Sequence, residues 1–413
     1  MRKQVLDITS LGALGDGVTD RGVFVPFGLP HETVEAIVDK GRAIEPVWQQ
    51  HSAQRVAPVC QHFGDCGGCK VQHMGSDLYT DWKKGLVRDA LTQVGINIEP
   101  EPIVTCAPKS RRRAVFSVVV TTDGIDVGFQ RAGSNHVVAI NECHVITAPL
   151  EGAAPLIGRL AKTFLPRGKT ASFTVLDTQT GFDIAIESPI KLTDDNRRAI
   201  TSHVMKTSIA RVNVNGETII EKTKPRLDLS GFIVGPPAGA FVQAVKTIED
   251  AMVRLIADHL GSCKRVADLF SGSGTFSLPL ARASSVYAVE GQPEALVALD
   301  RAWRDATGQN LKAIKTEKRD LHNRPIMAKE FELMKTQGVV FDPPRAGAEM
   351  QAQQLAKSPV KRIAAVSCNP TTLARDLKIL IAGGYTLQSV TPLDQFLWSP
   401  HVEAVALLVR GKG

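Results

Sequence analysis

The chain has 413 residues, of which 43% are hydrophobic and 22% charged, and its formal net charge is +7. No apolar run reaches the roughly 18 residues of a membrane-spanning helix, and residues 1–5 lack the apolar core of a secretory signal. We therefore expect a cytoplasmic protein of two or three domains with no membrane partner. The seven cysteines favour metal binding or catalysis over disulfides, and the modest positive charge is compatible with nucleic-acid binding.

The first 57 residues predict a small β-barrel. Apolar residues such as Val23 and Val25 alternate with polar ones, and glycines such as Gly12, Gly17 and Gly28 mark turns between short strands. The pattern alone fits any small β module.

The middle of the chain, residues 58–235, begins with a cysteine-rich loop over residues 58–76. Leu78, Trp82 and Leu86 are spaced four apart and predict a helix over residues 77–94. Residues 100–230 are strand-rich and predict an α+β segment. The basic run at residues 109–113 is either the solvated start of a strand or a patch that contacts phosphates.

Residues 236–413 alternate between helix and strand patterns. A helix over 244–260 precedes a strand over 265–270, a glycine loop, a strand over 285–289 and a helix over 293–306. This alternation is typical of the α/β class and predicts a mainly parallel, doubly wound, Rossmann-like sheet. Ligands of such sheets bind at the carboxyl ends of the strands.

A cysteine motif lies in the loop before the first predicted helix. Cys60, Cys66 and Cys69 follow the spacing C-x5-C-x2-C, and Cys143 is the expected fourth ligand. Thiolates at such spacing bind zinc or an iron–sulfur cluster. The spacing does not decide between the two.

A glycine loop follows the first strand of the alternating region. The segment Asp268-Leu269-Phe270-Ser271-Gly272-Ser273-Gly274-Thr275 lies at a strand-to-helix turn, and Glu290 ends the next strand. Glycines let a cofactor approach the backbone, and a carboxylate at that strand end can accept ribose hydroxyl protons. The dinucleotide pattern G-x-G-x-x-G is incomplete because Ser277 stands at its third glycine, which disfavours a nicotinamide-dependent dehydrogenase.

Asp342, Cys368 and Glu403 form the candidate catalytic set. Asp342 follows one predicted strand and Cys368 follows the next, so both lie at the ligand-binding rim. A thiolate can add to carbon 6 of a uracil ring and leave carbon 5 nucleophilic, and a carboxylate can then remove the carbon 5 proton. Taken singly, Cys368 could instead be a buried structural cysteine and Glu403 a surface carboxylate.

Together these motifs resemble the RNA 5-methyluridine methyltransferases, a family that uses S-adenosylmethionine. The resemblance spans most of the chain. It is carried by Phe63-Gly64-Asp65-Cys66-Gly67-Gly68-Cys69-Lys70-Val71-Gln72-His73, Phe241-Val242-Gln243, residues 268–274, 341–347 and 367–375, and His401-Val402-Glu403. Two N-terminal segments, Val23-Phe24-Val25-Pro26 and Leu29-Pro30-His31-Glu32, resemble the TRAM domain of that family.

The resemblance implies three domains: an OB-like TRAM barrel that binds RNA over residues 1–57, a middle α+β iron–sulfur domain over 58–235, and a class I methyltransferase domain over 236–413. It implies that Cys368 is the nucleophile and Glu403 the base. It also implies a [4Fe-4S] cluster bound by Cys60, Cys66, Cys69 and Cys143, and S-adenosylmethionine bound by Gln243, Phe270, Gly272, Thr275, Glu290, Asp320 and Asp342.

The barrel and the cysteine cluster together are similar to family members that methylate uridine 1939 of 23S rRNA. We therefore expect 23S rRNA as the partner and a monomeric enzyme. One alternative is the same chemistry on tRNA uridine 54 or rRNA uridine 747, whose enzymes tend to lack the barrel, the cluster or both. Another is a non-catalytic RNA-binding iron–sulfur protein, which would not need both Cys368 and Glu403.

Overall fold

A computed structural model of the chain describes residues 3–411. It contains a closed barrel, a seven-stranded sheet, a two-stranded sheet and an eight-stranded sheet. Within residues 3–411, none of the helices is both long and apolar enough to span a bilayer.

The predicted N-terminal barrel is confirmed. Its strands are β1 (Lys3–Leu11), β2 (Gly17–Thr19), β3 (Phe24–Val25), β4 (Thr33–Asp39) and β5 (Arg42–Gln50), closed in the order β1-β2-β3-β5-β4. Leu6, Ile8 and Val34 point inward and are buried. Gly17 has to be a glycine because a Cβ atom there would lie 2.7 Å from the Ile8 side chain.

The first helix, α1 (Ser76–Gln93), agrees with the predicted helix to within one residue at each end. It links the barrel to the rest of the molecule. The indole Nε1 of Trp82 donates to the carbonyl of Gly12 in the barrel at 3.0 Å, and the buried Lys83 donates to Asp394 of the large sheet at 2.8 Å.

The middle segment folds as a strand-rich sheet flanked by short helices. Its elements are β6 (Val104–Thr105), β7 (Arg113–Val120), β8 (Ile125–Gln130), β9 (Val137–Ala139), α2 (Ala148–Glu151), α3 (Ala154–Ala161), β10 (Thr170–Thr178), β11 (Gly181–Glu187), α4 (Asp194–Met205), β12 (Ile209–Val214), β13 (Glu217–Glu221), β14 (Leu227–Leu229) and β15 (Phe232–Val234). Seven of these strands form one sheet in the order β13-β12-β11-β10-β7-β8-β9, and β14 pairs with β15. The short strand β6 instead joins the edge of the large sheet.

The C-terminal part alternates helix and strand as predicted. Its elements are α5 (Lys246–Leu260), β16 (Arg265–Leu269), α6 (Ser277–Leu280), β17 (Ser285–Glu290), α7 (Pro293–Asp305), a 3-10 turn (Thr307–Gln309), β18 (Ile314–Lys318), α8 (Ala328–Met334), β19 (Gly338–Phe341), α9 (Glu349–Ala356), β20 (Arg362–Ser367), α10 (Pro370–Ala382), β21 (Tyr385–Asp394) and β22 (Glu403–Arg410). The sheet order is β18-β17-β16-β19-β20-β22-β21-β6.

Strands β16 to β20 run parallel, as the alternation predicts, whereas β22 is antiparallel to both β20 and β21. Both faces of this sheet are covered. Val266 packs in one buried cluster with α5 residues such as Met252, and its neighbour Ala267 packs in another with α10 residues such as Leu377. Burial on both faces explains why these strands read as continuous apolar runs.

Candidate active site

The predicted site residues lie along one edge of the large sheet. Following the strand order, Asp320 comes shortly after β18, Glu290 ends β17, and Phe270 follows β16. Asp342 then follows β19 and Cys368 follows β20. Parallel strands present their carboxyl ends at one rim, which is where ligands of such sheets bind.

The reversed direction of β22 brings Glu403 to the same rim. In the β20–β22 pairing, Ser367 lies opposite Ala404. The next pair in that register is Cys368, just after β20, and Glu403, the first residue of β22. The antiparallel strand, which the alternating pattern did not predict, is therefore what places a carboxylate beside the thiol.

A hydrogen-bonded chain of side chains connects the two carboxyl groups of the rim. Gln243 donates to Asp342 at 2.9 Å. Gln395, which directly follows β21, donates to the amide oxygen of Gln243 at 2.8 Å and to Glu403 at 2.7 Å. Asp342, Gln243, Gln395 and Glu403 thus form one network, in which Gln243, Gln395 and Glu403 are almost completely buried.

Burial changes the proton affinity of the three reactive groups. It raises the pKa of Asp342 to about 7. It raises the pKa of Glu403 well above its usual value, and the neighbouring Asp342 adds to the effect. It also raises the pKa of Cys368 to about 11, with Glu403 and Asp342 contributing and Arg345 opposing. At neutral pH Cys368 is a thiol, so any nucleophilic role requires a neighbour to accept its proton.

The glycine loop after β16 has the features of a cofactor cradle. Gly272 and Gly274 have φ of +51° and +99°, and a Cβ atom at Gly272 would point into open space. Ser271, Ser273 and Asp268 each keep a buried polar atom with no partner among the described residues. These unpaired atoms and the glycine backbone fit a polar ligand.

Glu290 supports this loop from the next strand. One carboxylate oxygen accepts the Gly272 N–H at 2.9 Å, and the other accepts those of Gly291 and Gln292 at 2.7 and 3.0 Å. A carboxylate has about four lone-pair positions, so it can accept a ribose hydroxyl in addition.

The remaining predicted cofactor residues flank the loop. Thr275 is half-buried in the turn. Phe270 adopts a φ of +62° and packs against His322, with ring centroids 5.4 Å apart. Asp320 is exposed, and its pKa is lowered by a hydrogen bond from Asn323. The contact between Phe270 and His322 ties the Asp320 turn to the glycine loop.

The four cysteines of the motif surround one cavity of about 260 Å³. Burial raises the pKa of Cys69 to about 12 and also raises those of Cys60 and Cys66, and the neighbouring Cys143 adds to the rise at all three thiols. Across residues 3–411, no three His, Cys, Asp or Glu side chains meet closely enough to enclose a single metal ion. The bound cluster therefore stays a prediction.

The cysteine loop reaches Cys143 through contacts with the middle sheet. The Gly67 N–H donates to the carbonyl of Gln130 at 2.9 Å, and a Cβ atom on Gly67 would lie 2.8 Å from that oxygen. The Gln61 N–H donates to Glu142 at 2.8 Å. These contacts bring two stretches of sequence about 80 residues apart to one cavity and explain the glycine next to Cys66.

Two groups of functional interest were not predicted. Gln395 completes the carboxyl network, but no motif marks it. Lys83 is fully buried and donates to Asp394 and to the carbonyls of Phe396 and His401, so it holds the loop between β21 and β22. Its only sequence signal is a lysine on the apolar face of α1, which is easily mistaken for a solvated residue.

The basic run at residues 109–113, for which the sequence left a solvated strand start and a phosphate-contacting patch open, has protein partners for most of its side chains. Arg112 is buried and bonded to Glu249 at 2.6 Å. Arg111 is half-buried, with its guanidinium carbon 5.7 Å from the centre of the Phe396 ring, and Lys109 pairs with Glu151 at 2.5 Å. Arg111 and Arg112 thus serve the contact between the middle segment and the C-terminal part, because Phe396 and Glu249 arrive from distant parts of the chain, whereas Lys109 pairs within the middle segment.

Known proteins resemble this chain over nearly its whole length. A family model described as tRNA (Uracil-5-)-methyltransferase matches residues 221–411. An RNA methyltransferase of Agrobacterium fabrum is 47% identical over 99% of this chain and 100% of its own. The 23S rRNA (uracil(1939)-C(5))-methyltransferase RlmD of Shewanella sediminis is 30% identical over 98% of this chain and 95% of its own.

The fold also matches a solved structure. Pyrococcus abyssi tRNA (uracil-54, C5)-methyltransferase, in complex with S-adenosyl-L-homocysteine, superposes with a TM-score of 0.75 at 22% identity and covers 98% of this chain and 99% of its own. The chain therefore belongs to the S-adenosylmethionine-dependent RNA methyltransferases that methylate uracil at carbon 5.

Proposed function

We propose that this enzyme methylates carbon 5 of one uridine in 23S rRNA through a covalent adduct between Cys368 and the uracil ring. The observation that carries the proposal is the pairing of a thiol with a buried carboxyl group across β20 and β22, next to Asp342. Nucleophilic addition activates the weakly reactive carbon 5, and a positioned base then releases the product.

The steps follow from the rim residues. Cys368 loses its proton to a neighbouring carboxylate, which passes it on to solvent, and the sulfur bonds to carbon 6, so that the electrons of the ring double bond move toward carbon 5 and oxygen 4. With S-adenosylmethionine bound, carbon 5 would then take its methyl group, the bond between that methyl and the sulfonium sulfur would break, and a neutral thioether would leave. Glu403 accepts the proton from carbon 5, the double bond re-forms, and the bond between sulfur and carbon 6 breaks.

The glycine loop, Glu290 and Asp342 are the groups we assign to S-adenosylmethionine, with Gln243, Phe270, Gly272, Thr275 and Asp320 around them. When bound, this cofactor supplies an electrophilic methyl group on a sulfonium. The buried, unpaired polar atoms of Ser271 and Ser273 support the assignment, because such atoms are normally satisfied by a partner.

RNA is assigned to the rim and the barrel. Phe241 is 69% exposed two residues before Gln243, and an exposed aromatic ring there can stack where a base has been flipped out. The barrel packs against the cysteine loop through Phe27 and Phe63, with ring centroids 5.3 Å apart. We propose that residues 1–57 hold the RNA flanking the target, residues 58–235 carry the cluster, and residues 236–413 carry out catalysis.

We further propose that Cys60, Cys66, Cys69 and Cys143 hold a [4Fe-4S] cluster of structural role. The donors are four thiols, the ligand set of such clusters, and they surround one cavity. The raised pKa values of Cys60, Cys66 and Cys69 mean that these thiolates could form together there only beside a strong positive charge.

Two relatives indicate two candidate RNA targets. RlmD supports 23S rRNA at 30% identity. The barrel alone does not separate the two targets, because the tRNA (uracil-54, C5)-methyltransferase of known structure has a similar fold over 98% of this chain. Methylation of tRNA uridine 54 is therefore the second candidate.

Mapping of 5-methyluridine in a deletion strain separates the candidates. Mass spectrometry of purified 23S rRNA fragments and tRNA should show loss of the modification at one position of 23S rRNA and full retention in tRNA. If 5-methyluridine were lost only from tRNA, the substrate would be tRNA and not 23S rRNA. Deletion strains complemented with the wild-type gene or with Cys368→Ala are the control, since only the wild-type gene should restore the 5-methyluridine.

A further inference from the structure

Gln395 occupies the centre of the catalytic rim and is 1% exposed. Its side-chain oxygen accepts the backbone N–H of Ala244 at 3.1 Å. Its side-chain nitrogen donates both to Gln243 at 2.8 Å and to Glu403 at 2.7 Å. The amide of Gln395, the residue after β21, therefore joins the loop before α5 to the first residue of β22.

The direction of every bond in this chain follows from its first member. A backbone N–H can only donate, so the bond from Ala244 identifies the oxygen of the Gln395 amide. The other end of that amide is then NH2, and the groups it contacts on Gln243 and Glu403 are acceptors. The oxygen of Gln243 consequently faces Gln395, and its NH2 faces Asp342, to which it donates at 2.9 Å.

The same logic distinguishes the two oxygens of Glu403. Oε2 is occupied by the N–H of Gln395, whereas Oε1 is buried with no partner among the described residues. Glu403 itself is 2% exposed. A proton taken up by this carboxylate therefore goes to Oε1.

We propose that Gln395 is a positioning residue that reserves Oε1 of Glu403 for proton transfer and turns the NH2 of Gln243 toward Asp342. The inference rests on the proposed function, in which Glu403 removes the carbon 5 proton. In that step the bond between carbon 5 and hydrogen breaks, the proton moves to Oε1, the ring double bond re-forms, and the Cys368 sulfur leaves carbon 6 as a thiolate.

The donated hydrogen bond also favours the ionised form of Glu403, since an N–H stabilises a carboxylate. Burial and the neighbouring Asp342 act in the opposite direction and raise the pKa of Glu403, while Arg345 acts on the adjacent Cys368 and lowers the pKa of its thiol. Removal of the Gln395 amide should leave less Glu403 ionised at neutral pH.

The test compares Gln395→Met with Gln351→Met. Both glutamines are 1% exposed, and each accepts a buried backbone N–H, from Ala244 and Ile326 respectively. Methionine keeps the length of the side chain and removes its hydrogen bonds. Gln351 lies on α9, and within residues 3–411 its side chain bonds to Ile326 alone, so it controls for the loss of a buried amide.

With full-length protein and a 23S rRNA fragment, Gln395→Met should turn over about 10–100-fold more slowly at pH 7. Denaturation-resistant protein–RNA adduct should accumulate because proton removal is delayed. The acidic limb of the rate profile should move up by about 1–2 pH units. Gln351→Met should change none of these three readouts.

If Gln395→Met had the same turnover, adduct level and pH profile as Gln351→Met, the inference would be overturned. Glu403→Gln, measured alongside, separates this result from failure of the proposed function. If Glu403→Gln traps adduct while Gln395→Met does not, only the role of Gln395 is lost. If Glu403→Gln turns over without adduct, the base lies elsewhere and both proposals fall.

Discussion

The catalytic rim and the cysteine cavity differ in how their polar groups are arranged. At the rim, Asp342, Gln243, Gln395 and Glu403 are joined by direct hydrogen bonds of 2.7 to 2.9 Å. In the cavity, four thiols face a common space, and burial together with neighbouring thiols raises the pKa of Cys60, Cys66 and Cys69. The protein's own side chains thus preorganise the rim, whereas the cavity holds donors that oppose one another until a cation joins them.

The contrast teaches what each region contributes. A preorganised network lowers the reorganisation needed during reaction, so changes at the rim should affect rate more than stability. Binding free energy at a metal centre is folding free energy, so changes in the cavity should affect stability and metal content first. The following substitutions test this division, beginning with the largest effect.

Replacement of Cys368 by alanine should abolish methyl transfer, with a loss on the order of 10⁴-fold or more. Binding of S-adenosylhomocysteine and the melting temperature should stay close to wild type, because Cys368 only partly packs into the core. Calorimetry and methylation of a 23S rRNA fragment provide the readouts. Cys263→Ala, which removes a buried cysteine away from the rim, is the control and should stay active.

Replacement of Glu403 by glutamine should slow turnover by about 10²–10⁴-fold, the usual contribution of a general base. The enzyme should stall after methyl transfer, so adduct that survives denaturation should accumulate on gels. The double variant with Cys368→Ala should form none. Product release at the wild-type rate by Glu403→Gln would contradict the role assigned to the rim.

In the cavity, Cys69→Ser should reduce iron content and stability together. Wild-type protein purified without oxygen should contain about four irons per chain. The variant should lose most of its iron and several kcal/mol of unfolding free energy, on the order expected when a structural metal centre is lost. Elemental analysis and denaturant unfolding measure both. One zinc in place of iron would refute the cluster.

Features that depend on local sequence were predicted, whereas features that depend on contacts between distant residues were not. The glycine loop, Asp342 and Cys368 were located from sequence because each follows a strand directly, and local pattern fixes strand ends. The barrel and α1 were recovered for the same reason. The antiparallel turn into β22 was not predicted, because strand direction depends on long-range pairing.

The other features that the sequence did not predict involve residues whose partners lie far away along the chain. Arg112 reads as a surface cation until Glu249, 137 residues later, is placed beside it. Gln395 acquires its role from Gln243 and Ala244, about 150 residues earlier. Such pairs have no signature in one sequence, because either residue alone is most often solvent-exposed.

Lys83 tests whether the rim and the cavity are mechanically coupled. It holds the carbonyls of Phe396 and His401, which line the cavity, on the loop that leads into Glu403. Lys83→Met leaves Asp394 as a buried uncompensated charge and should cost about 3–5 kcal/mol of stability, with loss of both turnover and iron.

The adjacent Lys84→Met is the matched control for that experiment. Lys84 pairs with the exposed Glu99, and such surface pairs contribute at most about 1 kcal/mol. Denaturant unfolding, iron analysis and turnover are measured on both variants. If Lys83→Met lost turnover but kept its iron, the two regions would be independent.

Phe241 provides the smallest expected effect and tests whether RNA enters at the rim. Its ring is 69% exposed beside Gln243, and stacking on one base is worth about 1–3 kcal/mol. Phe241→Ala should therefore weaken binding of a 23S rRNA fragment by about 5–150-fold, with unfolding free energy unchanged. Leu333→Ala removes a side chain of similar exposure, 71%, from α8 and should bind normally in the same filter-binding assay. Equal RNA affinities of the two variants would mean that Phe241 does not stack in the place of the flipped base, and that other residues of the rim contact the RNA.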